Sequence, residues 1–184
     1  MKDYFSIPCG KAYKMLNSGT VILISTADAK GNYNLTPIAW QCPLDFNDIS
    51  KFIFVSDITH KAFTNIIETK KFVIIIPHIE NKQIIIDCGS CSGKNVNKIE
   101  KFKINFFKSP KFNLPVIENC IGYIECELIK IIEEDGVGIV ISKSINAYAD
   151  KNAFKDRLLS EKIEGKTIHH LGSKIFITTG NQII

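Results

Sequence analysis

Residues 121–132 constrain the fold of this chain more than any other stretch. Ile124, Cys126 and Leu128 alternate there with Glu125 and Glu127, so an extended strand would bury one face and wet the other. Asp135-Gly136 then supplies a turn into a second strand over 137–144. Further β-branched or apolar runs predict strands at 20–26, 34–40, 52–56, 72–76 and 174–178, with a turn at 28–32. Helical periodicity is confined to short stretches. Ala12, Met15 and Leu16 share a face over 10–18, with Gly19 as a stop; Phe63, Ile66 and Ile67 share one over 60–69, closed by Lys70-Lys71. Val96, Ile99 and Phe102 form a third stripe, and Phe154, Leu158 and Leu159 a fourth over 152–162. Strands outnumber helices without a regular β-α alternation, which argues against a doubly wound parallel sheet. The pattern predicts a mainly β chain of the α+β kind, a small antiparallel barrel with peripheral helices. No linker-like tract interrupts it, so a single domain over 1–184 is expected.

The composition excludes several classes. With 45% hydrophobic and 23% charged residues the chain is neither disordered nor fibrous. Its longest apolar runs, 72–77 and 84–86, are too short to cross a bilayer, and residues 1–6 lack the apolar core of a signal peptide. A cytoplasmic location and no membrane partner are expected. The six cysteines then read as reduced thiols rather than a disulfide framework. The net charge of +4 is mild, and Arg157 is the one arginine. Lys94, Lys98, Lys101, Lys103 and Lys108 therefore read as a solvated face rather than a nucleic-acid surface.

Several motifs bear on chemistry. Cys88-Gly89-Ser90-Cys91 has the spacing of a redox dithiol, and a thiol at a helix N-terminus is acidified by the dipole. The β-α-β lead-in of a thioredoxin is missing, however, and a Ser-Gly-Lys tail separates Cys91 from the stripe at Val96. Residues 89–95 fall one residue short of a phosphate loop, with Asn95 where a magnesium-binding hydroxyl must stand. What survives is weaker: small residues let backbone N–H groups approach an anion, and Lys94 adds charge. Cys120, Cys126 and the His169-His170 pair lack the spacing of a zinc site, so no metal is expected. No nucleophile elbow occurs, and His169-His170 reads as a surface loop.

Four segments, taken in order, resemble the flavin reductase-like family, which includes the flavoredoxins. They are Leu16 to Gly19 leading into Val21 to Thr26; Asp28 to Pro43, with Gly31, Asn34, Pro37-Ile38-Ala39-Trp40 and Pro43; Val55-Ser56, His60-Lys61 and Asn65-Ile66 through Phe72-Val73; and Cys88-Gly89, Ser92-Gly93-Lys94 and Lys98. Leu171-Gly172 is a fainter echo. The resemblance implies an FMN-binding split barrel that works as a homodimer, both subunits forming each site.

It also implies a site. Asn34 and the run Thr36, Pro37, Ile38, Ala39, Trp40 and Gln41 would lie along the flavin ring. Ser56, Lys61, Thr64 and Asn65, with Ser92, Gly93 and Lys94, would hold the phosphate, and Cys88-Gly89 opens the fourth segment. Ala62 departs from the family by standing where relatives carry threonine, and Cys91 is unusual in its stretch. The function implied is an NAD(P)H-dependent flavin or ferric reductase. NADH or NADPH would give hydride to flavin N5, and no side chain need act as acid or base. The alternatives are a flavoredoxin-type carrier serving a redox protein and, further off, a dithiol oxidoreductase. His169 to Gly172 could line the nicotinamide pocket.

Overall fold

The apolar runs that do not alternate belong to strands covered on both faces. In a computed structural model, which describes residues 8–16, 19–45 and 47–180, a 3-10 helix over Cys9–Leu16 precedes β1 (Ile22–Ala27), β2 (Tyr33–Ile38), β3 (Gln41–Pro43) and β4 (Lys51–Asp57). Helix α1 (Lys61–Thr69), β5 (Lys71–Ile76), α2 (Lys82–Gly89) and α3 (Lys98–Lys101) come next. They are followed by the pair β6 (Phe106–Lys108) and β7 (Pro115–Ile117), then the long hairpin β8 (Gly122–Glu134) and β9 (Val137–Ala149). Short pairs close the chain: β10 (Phe154–Lys155) with β11 (Arg157–Leu158), and β12 (Ile168–Gly172) with β13 (Ile175–Thr178).

Seven strands form one antiparallel sheet in the order β2-β1-β5-β8-β9-β4-β3. β2 and β3 stand at opposite edges, yet only Ala39 and Trp40 separate them in sequence. That connection forces the sheet to curl, and the Val55 N–H bonds the Trp40 carbonyl at 2.9 Å across the seam. Alternate residues of β1 and β5 consequently serve two cores. Ile22, Ile24, Phe72 and Ile74 face α1 with Phe63, Ile66 and Val140. Leu23, Val73 and Ile75 face outward, where Ile85, Ile99, Val116 and Ile117 cover them.

Several sequence expectations need correction. Residues 152–162 form no helix. β10 and β11 turn back at Asp156, whose φ is +56°, and Phe154 stays exposed. Ile84, Ile85 and Ile86, which no periodicity assigns, lie on helix α2, where Ile85 and Cys88 point inward. The Val96 stripe shrinks to one helical turn, Lys98–Lys101. His169 and His170 lie on β12 rather than a loop. Glu125 is not wet: it is fully buried, beside a bulge between Glu125 and Cys126. At the N-terminus the helical segment exposes Met15 and Leu16; Asn17, Ser18 and the side chain of Ala12 lie outside the described residues. Gly19 is needed for another reason than stopping a helix, since a Cβ there would lie 2.6 Å from the Ala39 carbonyl oxygen.

Candidate functional site

Where β2 runs toward the seam, three features converge on one cleft of about 420 Å³: Thr36-Pro37 of β2, the start of α1 at Thr59 to Lys61, and the stretch from Cys88 to Gly93. His60 occupies the N-cap of α1 and makes no side-chain cap. The start of α1, where helix geometry leaves the first-turn N–H groups without intrahelical partners and the dipole is positive, therefore lies uncapped at the cleft wall. Lys61 adds a cation and pairs with Asp28 at 3.1 Å. Asn32 hydrogen bonds, reinforced by Lys61, hold the Asp28 carboxyl well below the usual carboxylate range. Ser56 Oγ lies 3.2 Å from His60 Nδ1 and so orients the ring.

Lys98 closes the cleft floor and is 4% exposed. Its ammonium donates to the carbonyls of Leu35 at 2.8 Å and Cys88 at 2.6 Å, tying β2 to the end of α2. Burial pushes its pKa down, while the thiols of Cys88 and Cys91 act the other way. Among the described residues no Asp or Glu lines this cleft; Asp28 pairs with Lys61, and Asp57 accepts from Thr59, just behind its wall.

Beneath α1 lies a buried polar patch built by the β1–β2 register, which sets Thr26 opposite Asn34 and Ile24 opposite Thr36. Asn34 Nδ2 donates to Thr36 Oγ1 and Asn65 Nδ2 to Thr26 Oγ1, each at 3.0 Å. Both amide oxygens are left without a donor. Gly93 is pressed against this patch, since a Cβ there would come within 1.9 Å of Asn34 Oδ1.

Two further hollows adjoin the cleft through Pro37. One, of about 390 Å³, is mostly apolar, with Val21, Ala39, Ile85, His170 and Phe176. The other, of about 550 Å³, is bounded by Ile38, Ala39, Trp40, Val55, His60 and His170. On the opposite side, Lys61 and Gly93 separate the cleft from a hollow containing Lys94 and Asn97.

The structure thus gathers Thr36, Pro37, Lys61, Cys88, Gly89, Ser92 and Gly93 around one cleft, with Ile38, Ala39, Trp40 and Lys94 in the adjoining hollows. Asn34 and Asn65 sit in the buried patch, and Ser56 beneath His60. Gln41 donates to the Thr20 carbonyl at 3.1 Å, and Thr64 is exposed on α1; neither lines these hollows. Sequence reasoning passed over Thr59, His60 and Lys98 as site residues. The signal was present for Lys98, a lysine four residues beyond Gly93-Lys94 and next to Ile99, but its burial depends on tertiary contacts. The thioredoxin-like placement of Cys88 is corrected: it lies in the last turn of α2, at the negative end of the dipole, and burial pushes its thiol up to about 12.

Fold and site together define a split-barrel protein with a cleft at its seam. The sequence matches the Flavin reductase like domain over residues 15–166, and the chain belongs to that family. The FMN-binding domain of a flavin reductases-like enzyme from Shewanella baltica is similar at a TM-score of 0.79 and 26% identity, over 97% of this chain and 95% of that one. Flavoredoxin of Desulfovibrio vulgaris (Miyazaki F) shares the fold at a TM-score of 0.82 and 18% identity, over 100% and 96%. Uncharacterized protein YddH of Escherichia coli K12 is 28% identical over 188 residues, 100% of this chain and 98% of that protein. Among the described residues no group of three or more His, Cys, Asp or Glu could hold a metal ion, and no helix is long and apolar enough to cross a membrane.

Proposed function

We propose that this protein binds FMN in the seam cleft and acts as an NAD(P)H-dependent flavin or ferric reductase. The carrying observation is the cleft itself, where a helix N-terminus, Lys61 and Lys98 meet with no acid among the described lining residues. That set suits a phosphate dianion. The residues also fit a hydroxyl-bearing chain, because buried Asn34 Oδ1 behind Gly93 lacks a donor. Thr59, Lys61, Ser92 and Gly93 would hold the phosphate, while residues 36 to 40 offer the ring an apolar wall and backbone donors. Bound FMN would supply two-electron chemistry that no side chain here provides.

The chain's own residues would then bind, orient and exclude water. Trp40 and the half-buried His170 and Phe176 frame the neighbouring hollows, which suit a nicotinamide. The exposed apolar side chains of Trp40, Leu44, Ile49 and Ile58, close to the seam, support a homodimer in which a second subunit covers the cleft.

The test is the visible spectrum of purified protein before and after NADH or NADPH, followed by steady-state nicotinamide oxidation with free flavin or ferric chelate. A yellow protein that bleaches and turns over is expected. A colourless protein that takes up no added FMN sinks the binding claim. A yellow protein that does not bleach removes the reductase and leaves the flavoredoxin-type carrier.

A further inference from the structure

We propose that Cys88 and Cys91 are a redox modification site: an anionic low-molecular-weight disulfide of the glutathione type enters the seam cleft and converts the pair to an intramolecular disulfide. Both residues line that cleft, and the pair goes beyond the flavin reading because it needs no cofactor.

The backbone permits the bond. Helix α2 runs through Gly89, and Ser90 keeps helical angles of φ −80° and ψ −15°. The turn is pinned twice at the Asp87 carbonyl, by the Ser90 N–H at 3.1 Å and the Ser90 hydroxyl at 2.7 Å. Helical angles at Gly89 and Ser90 set the Cα atoms of Cys88 and Cys91 about 5 Å apart, and disulfides span roughly 4.4–6.8 Å between Cα atoms.

The two thiols differ in access, which assigns their order. Cys91 is half-buried at the cleft wall and can be reached from it, whereas Cys88 is fully buried. Burial outweighs the nearby Lys98 ammonium and keeps the Cys88 thiol protonated. Cys91 therefore attacks first. Its thiolate bonds to one sulfur of the incoming disulfide, and the other half leaves as a thiolate. Cys88 then gives up its proton to that thiolate and attacks the Cys91 sulfur, expelling the second half. Two protein thiols and one small disulfide become one protein disulfide and two small thiols, with electrons balanced. The cationic lining from Lys61 and Lys98 favours a carboxylate-bearing disulfide.

The helix end adds a thermodynamic consequence. A dithiol whose thiolates are stabilised is a strong oxidant when closed. Cys88 lies at the negative end of α2, where thiolate is disfavoured, so the closed form here should persist against a reducing thiol pool.

The test uses the full chain with exposed Cys9 and Cys42 changed to serine, incubated with glutathione disulfide and mapped by peptide mass spectrometry. A bond joining Cys88 to Cys91 is expected. Cys88→Ser should instead trap glutathione on Cys91, and Cys91→Ser should leave Cys88 unmodified in the folded protein. Cystamine, which is cationic, should react at least ten times more slowly than glutathione disulfide. A lasting glutathione adduct on Cys91 with Cys88 intact overturns the proposal, as does glutathione on Cys88 in the Cys91→Ser chain. Cystamine matching glutathione disulfide overturns the assignment of an anionic partner.

Discussion

Two regions of this molecule bury polar side chains, and they do so in opposite ways. On β8, Glu125 is fully enclosed, and each of its oxygens is used. One accepts from the N–H groups of Lys111 and Phe112, both at 2.9 Å, and the other from Asn146 Nδ2 at 2.8 Å. Beneath α1, Asn34 and Asn65 are equally buried, yet each leaves its amide oxygen without a donor. An unpaired buried acceptor costs about 1–3 kcal/mol, so it persists where something else compensates. The first region is closed and holds the loop before β7 against the barrel. The second adjoins the seam cleft and is chemically unfinished. One contributes stability; on the FMN-binding proposal the other is kept for a ligand.

The largest effect should come from breaking the closed region. Glu125→Ala empties a fully buried site and strands three part-buried donors, and should lower stability by about 3 kcal/mol, seen as a loss of roughly 10 °C in melting temperature. FMN affinity, measured by quenching of flavin fluorescence, should stay within about twofold, counting only the folded fraction. If affinity falls in step with stability, the two regions are not separate. Next, FMN at a hundred times its dissociation constant should raise the unfolding free energy by about 2.7 kcal/mol, which a thermal melt resolves. Smaller again is Asn34→Ala. It removes an unpaired oxygen together with one bond to Thr36, so apo stability should barely move while FMN affinity drops about tenfold, or 1.4 kcal/mol. A large apo destabilisation with unchanged affinity would reverse the assignment of this patch.

The contrast also shows what the amino-acid order makes visible. Strands β1, β4 and β5 were legible because β-branched residues cluster in them, and α1 because Phe63 and Ile66 share a face bounded by a left-handed Lys70. The gathering of the candidate residues was legible in outline: the third and fourth segments do meet Thr36-Pro37 in one cleft. What stayed hidden depends on contacts distant in sequence. Glu125 reads as a wet strand residue until the loop at 109–114 folds over it. Lys98 reads as one lysine among many until Leu35 and Cys88 offer it carbonyls. Helix α2 is not visible as periodicity, because a run of three isoleucines marks no face until packing turns Ile85 inward.

Titration sharpens the comparison last and most finely. Burial by itself would raise the Glu125 carboxyl, but hydrogen bonds from Asn146, Ser109 and the Phe112 and Lys111 amides outweigh it, so the folded pKa lies below the ordinary 4.5. In the unfolded chain the group titrates near that ordinary value. Between the two the unfolded state binds more protons, so stability from this residue is fully present above about pH 4.5 and lost as pH falls through the folded pKa. Glu125→Gln keeps the shape and much of the hydrogen bonding but cannot titrate. Its plot of unfolding free energy against pH should therefore be flatter than the parent's below about pH 4.5 and run parallel to it above, offset by the lost charge-assisted bonds. The Asn34 patch holds no ionisable group, so Asn34→Ala should leave the acid limb unchanged. Equal flattening in both variants would mean that the acid limb arises elsewhere, for instance at Asp28, whose carboxyl is also held low. The closed region would then lose its claim to the pH response while keeping its role in stability.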